Sequence, residues 1–142
     1  MTRRGEQAAA ATSKGDRKQI GLPRSLFPLL EALEASPWFR LQQDAYKVSI
    51  AVALARGFTP SVHGTESFET KFSVSGVDPD GSLRDLILAL VPEEAADRPY
   101  DYAQRLAVAG VQYLHSELVD KDRPLSEVLG LGEGEDEGHD EV

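Results

Sequence analysis

Cysteine is absent from the chain, which excludes disulfides, thiolate zinc sites and thiol nucleophiles. Histidine is nearly as scarce: His63, His115 and His139 are the only three, and no two stand at metal-ligand spacing. Neither a zinc centre nor a serine–histidine triad has a foundation in such a sequence. Long hydrophobic runs are also missing, and the apolar stretch 86–91 falls far short of the roughly 20 residues a membrane helix needs. The glycines at 130, 132 and 134 are followed by acids rather than by Lys-Ser or Lys-Thr, so they form no phosphate loop. Asp78-Pro79-Asp80-Gly81 resembles the opening of a calcium loop, but the third acidic position and the closing glutamate are missing. A capped turn explains it better. Glu93 and Glu94 are adjacent carboxylates rather than a converging pair. With no reacting constellation, the chain is read as a non-enzyme with no expected metal or cofactor.

Positive charge is in deficit as well, at a net −9, with 41% apolar and 27% charged residues. The imbalance is uneven. The first 19 residues hold five basic and two acidic side chains, residues 20–131 hold ten and 16, and residues 132–142 hold none and six. This pattern predicts a basic arm over 1–19, one domain over 20–131 and an acidic low-complexity tail over 132–142. The arm has no apolar core behind its cations and is not a secretory signal, so a cytoplasmic protein without membrane contact is expected. A negatively charged domain offers phosphate little general attraction.

Within the domain, apolar spacing predicts mostly helix. Leu26, Phe27, Leu29, Leu30 and Leu33 predict a first helix ending before Pro37. Trp38-Phe39-Arg40-Leu41 predicts a short strand leading into a helix from Gln43 or Asp44, which Gly57 and Phe58-Thr59-Pro60 terminate. A weak alternation over 68–74 suggests a second strand. Leu83, Leu86, Ile87 and Leu90 give a one-faced helix, residues 99–118 the longest helix, and residues 124–129 a last short one. The expected fold is therefore a mainly α, compact helical bundle with one or two short strands and a ribbon-helix-helix-like opening. Apolar residues wrap most of the second helix, so it is either central to the bundle or part of an oligomer interface. Ile50, Val52 and Leu54 are its candidate interface residues.

Arg40, Lys47 and Arg56 are the candidate phosphate contacts, although Lys47 and Arg56 do not stack on one helix face. Phe39-Arg40-Leu41, the helix ending at Gly57-Phe58-Thr59-Pro60, the run 71–76 before the 83–90 helix, and the run 107–114 together resemble the DndE family of DNA sulfur modification proteins, over roughly 39–118. That resemblance implies a small helical homo-oligomer that associates with DNA and accompanies larger enzymes of phosphorothioation or anti-phage defence. The acidity of this chain departs from the family's basic surface. Two functions are therefore expected: a DNA-associated accessory subunit whose oligomer gathers Arg40, Lys47 and Arg56, or an adaptor that recruits an ATPase or nuclease without touching DNA.

Overall fold

The computed structural model describes residues 15–61 and 68–130. Along the chain come β1 (Gln19–Pro23), a 3₁₀ turn (Arg24–Leu26), α1 (Phe27–Ala35), α2 (Gln42–Ala55), β2 (Phe68–Ser73), α3 (Val74–Val77), α4 (Ser82–Leu90), α5 (Pro92–Ala95), α6 (Pro99–Leu114), a π-helical extension (His115–Asp120) and α7 (Leu125–Val128). The fold is mainly α with one two-stranded antiparallel sheet. Among the described residues, no helix is long and apolar enough to cross a membrane.

The centre is the packing of α2 on α6. Ala45, Tyr46, Ile50 and Ala53 from the first helix, and Ala103, Leu106, Ala107, Val111 and Leu114 from the second, are all fully enclosed. The helices meet at Gly110, where a Cβ would lie 2.0 Å from the Ser49 carbonyl oxygen, so only glycine permits this approach. Ser49 turns its hydroxyl back to the Ala45 carbonyl at 2.7 Å, which satisfies a buried polar group inside its own helix.

β1 places Ile20 and Leu22 in the core. Between them, Gly21 runs so close to β2 that a Cβ would fall 1.7 Å from the Glu69 carbonyl oxygen. Its N–H donates to Gln104 Oε1 at 3.1 Å and its carbonyl accepts from the Tyr46 hydroxyl at 2.8 Å. The strand is thereby bonded to both central helices as well as to β2, and burial raises the Tyr46 pKa well above its ordinary value against the opposing charge of Arg17. Ile20 pairs with Phe72 and Gly21 with Thr70, which leaves Lys71 as the extra residue of a bulge.

Three expectations change here. Residues 38–41 form a turn rather than a strand, in which Phe39 is buried while Trp38 and Leu41 face outward, so the ribbon-helix-helix-like opening is absent. Among the described residues, no neighbouring strand supplies their backbone groups with a ladder. The first strand instead lies at Gln19–Pro23, across the expected boundary between arm and domain. Residues 16 and 17 also belong to the fold. The Asp16 carboxylate accepts the N–H groups of Tyr100 and Asp101 at 3.0 and 3.1 Å, capping α6 from 84 residues upstream, and Arg17 Nε donates to Asp101 at 2.9 Å. The acidic tail lies outside the described residues.

Candidate functional site

The three cations expected to act together are carried by one segment but do different things. Arg40, in the turn before α2, is exposed and has no hydrogen-bond or ion-pair partner among the described residues. Lys47 turns towards α4, with Nζ 3.9 Å from Asp78 Oδ1. Arg56, just past the end of α2, lays its guanidinium over the Tyr113 ring at 4.9 Å and donates to the Val128 carbonyl at 3.1 Å. The nine-residue step from Lys47 to Arg56, at about 100° per residue, carries the two side chains to opposite sides of the helix. No single chain gathers the three cations into one phosphate-binding cluster.

The Asp78-Pro79-Asp80-Gly81 turn is occupied by capping. Asp78, itself buried, accepts the N–H groups of Leu83 and Arg84 at 2.9 and 3.0 Å and the Tyr100 hydroxyl at 2.8 Å. Gly81 supplies the positive φ of 74° that turns the chain into α4. Burial and the bond to Asp78 raise the Tyr100 pKa. Among the described residues, no three His, Asp or Glu side chains are grouped to hold a metal ion. His115 Nδ1 lies 3.8 Å from Asp120 Oδ2, whereas His63 and His139 lie outside the described residues.

The outer face of α2 remains partly open, as do Leu86 and Leu90 of α4 at 43% and 55% exposure. Ile50, Val52 and Leu54, the expected interface residues, are 0%, 6% and 8% exposed within the single chain, so Ile50 has no surface left to offer a partner. With Val48 as reference, about 100° per residue places Asp44, Ala45, Ala51, Val52 and Ala55 within about 60° of it. Of these, Ala45 and Val52 are buried, Ala51 is half-buried like Val48, and Asp44 and Ala55 are exposed; Leu41, in extended backbone just before the helix, is 54% exposed. The stripe from Asp44 to Ala55 is about 17 Å long at 1.5 Å per residue. Alongside it, Val128 and Leu129 from the end of α7 close an apolar groove of about 400 Å³ whose other wall is Val48, Ala51, Val52, Ala55 and Arg56.

The same helical geometry accounts for two of the cations. Lys47 leaves about 100° to one side of Val48, and Arg56, at the carboxy-terminal cap, about 80° to the other. These two border the apolar stripe on its two flanks, each already engaged within the chain, whereas Arg40 precedes the helix. Sequence spacing contained this arrangement, but it emerges only once the opposite side of α2 is known to face α6. The contribution of α7 to the groove had no sequence signal, because it depends on Arg56 reaching the Val128 carbonyl across the fold.

Comparison with protein-family models, with curated proteins and with solved structures finds no match to this chain.

Proposed function

We propose that this chain is a non-catalytic accessory subunit that acts as a protein–protein adaptor, receiving a partner on the outer face of α2. The observation that carries this reading is the apolar groove between α2 and α7, walled by Val48, Ala51, Val52 and Ala55 on one side and Val128 and Leu129 on the other. Exposed apolar surface of this kind is characteristic of docking sites. Direct DNA binding has less support: Lys47 and Arg56 make intrachain contacts, Arg40 stands alone, and the net charge of −9 opposes phosphate. The resemblance to the DndE family would place the subunit beside the larger cytoplasmic enzymes of bacterial DNA modification or anti-phage defence, with an ATPase or nuclease as the recruited partner.

Binding to nicked and intact duplex DNA at about 50 and about 200 mM salt, with the mass in solution measured on the same sample, tests this reading. A folded chain that leaves both duplexes unbound at both salt concentrations is the expected result. Binding that weakens steeply with salt would overturn the adaptor in favour of a DNA-contacting subunit, and a multiple of the chain mass in that sample would assign the contact to an oligomer.

A further inference from the structure

The exposed side of the β1–β2 ribbon carries chemistry that the adaptor reading leaves unused. Arg17, Lys18 and Gln19 on one strand, with Thr70 and Ser73 on the other, line a hollow of about 510 Å³. The geometry points to a binding site for a single phosphate group, as the free dianion or as the monoester of a small molecule.

The lining is the first argument. The α2 groove is apolar, and the hollow beside α5 sets Arg98 and Arg105 among Glu94, Asp97 and Asp101. The hollow on the ribbon instead offers two cations, an amide and two hydroxyls, with no acid among its lining residues. All five side chains can donate a hydrogen bond to an oxyanion.

Charge is the second. Asp101 accepts from Arg17 Nε at 2.9 Å and from Arg105 Nε at 3.0 Å, so one carboxylate serves two guanidiniums. The bond through Nε fixes the Arg17 guanidinium and leaves its two terminal nitrogens without a partner among the described residues. A guanidinium held in this way presents a planar fork that matches phosphate oxygens. The Lys18 side chain likewise has no hydrogen-bond or ion-pair partner among the described residues. Asp16 is occupied by the N–H groups of Tyr100 and Asp101. Counting it, Arg17, Lys18 and Arg105 still exceed Asp16 and Asp101 by one positive charge, in a chain of net −9.

The frame is the third. The Val74 N–H donates to the Lys18 carbonyl at 2.9 Å, Gln19 pairs with Ser73, and Gly21 pairs with Thr70. The sheet thus holds the backbone of both walls, which lowers the ordering cost of binding. Ser73 Oγ accepts the Gly76 N–H at 3.1 Å, leaving its own proton for an anion or for Ser75 Oγ, 3.4 Å away. Two cations and three neutral donors suit one phosphate group and are too few for the repeated charges of a duplex. A hollow that bound no phosphate would leave the adaptor reading untouched.

The test is an NMR titration of the isotope-labelled full-length chain, with inorganic phosphate replacing chloride at a constant ionic strength of about 0.15 M and about pH 7.5. Saturable shifts of the Lys18, Gln19, Thr70 and Ser73 amides, with a dissociation constant on the order of 1–10 mM, are the expected result. A nucleoside monophosphate that shifts the same amides at least as tightly would assign the hollow to a phosphorylated small molecule. A response to inorganic phosphate alone would assign it to the free ion. Lys18→Gln should weaken binding at least about fivefold and Thr70→Val about twofold to fivefold, whereas Arg40→Gln, at an exposed cation outside the hollow, should leave it unchanged. Circular dichroism verifies that the variants are folded. Shifts that never saturate would overturn the site. Saturable binding that survives both Lys18→Gln and Thr70→Val, or that Arg40→Gln abolishes, would overturn it equally.

Discussion

Gly110→Ala separates tight helix crossing from ordinary helix propensity, because the two predict opposite signs. On an uncrowded helix, alanine in place of glycine stabilises by about 1 kcal/mol. Here the new Cβ would lie 2.0 Å from the Ser49 carbonyl oxygen and 2.6 Å from its carbon, both of them rigid backbone atoms. Real Cβ contacts essentially never fall below 3.0 Å, so α2 and α6 must move apart locally by about 1 Å. A gap of that size costs each atom pair at the crossing about a quarter to a half of its dispersion energy. Ala45, Tyr46, Ile50 and Ala53 on one helix, and Leu106, Ala107, Val111 and Leu114 on the other, are fully buried, so little of that contact is recovered elsewhere. Overpacking of this kind costs about 1–3 kcal/mol, and the net effect is expected at about 1–2 kcal/mol destabilising after the propensity gain. Urea denaturation followed by circular dichroism measures it directly. A Gly110→Ala chain as stable as the wild type, or more stable, would refute the close crossing and the placement of the α2 outer face that depends on it.

Two further outcomes follow from the polar contacts. Asp78→Ala removes two backbone caps and orphans the Tyr100 hydroxyl, so it should cost about 2 kcal/mol or more in denaturant melts. Asp80→Ala, which loses a single exposed bond to the Ser82 N–H, should cost a fraction of that; equal costs would contradict the assignment of the α4 cap to Asp78. Acid should also loosen the junction of the amino-terminal segment with α6. Burial pushes the Asp101 pKa up, but the bonds from Arg17 and Arg105 outweigh it and hold the carboxyl below its ordinary value. Because the folded pKa is the lower one, this stabilisation is complete above the unfolded value of about 3.9 and is lost as pH falls through the folded pKa. The melting temperature should therefore fall more steeply below about pH 4 in the wild type than in Asp101→Asn, and parallel acid limbs would show that the pair contributes nothing.

The helices were legible because each carries a repeating apolar face: Leu30 and Leu33 in α1 and the long series in α6 are buried as their spacing predicts, whereas in α4 Leu83 and Ile87 are buried but Leu86 and Leu90, expected on the same face, are 43% and 55% exposed. β1 was not legible, since Gln-Ile-Gly-Leu-Pro holds only two apolar residues, separated by a glycine and followed by a proline, and has the composition of a linker. It is a strand because β2, some fifty residues later, and the side chains of Tyr46 and Gln104 satisfy its backbone. Trp38-Phe39-Arg40-Leu41 erred in the other direction: its residues have strand-like propensity, but only Phe39 is buried. The candidate site was half visible. Arg40, Lys47 and Arg56 were identifiable as cations near α2, whereas the position of Lys47 and Arg56 on either side of an apolar stripe followed from which side of the helix α6 covers.

By itself the sequence determined the helical content, the absence of thiol chemistry and the negative charge, because these depend on residue identity and on spacing within a few turns. The tertiary structure decided the rest. It converted a linker into β1, enclosed Ile50 within the chain, drew Lys47 to Asp78 and Arg56 to α7, and left the face of Val48 and Ala51 open. A helix wrapped in apolar residues has several faces fit for burial, and local spacing ranks them almost equally. The close approach comes from α6, where Gly110 lets the Ser49 backbone of α2 pack against it.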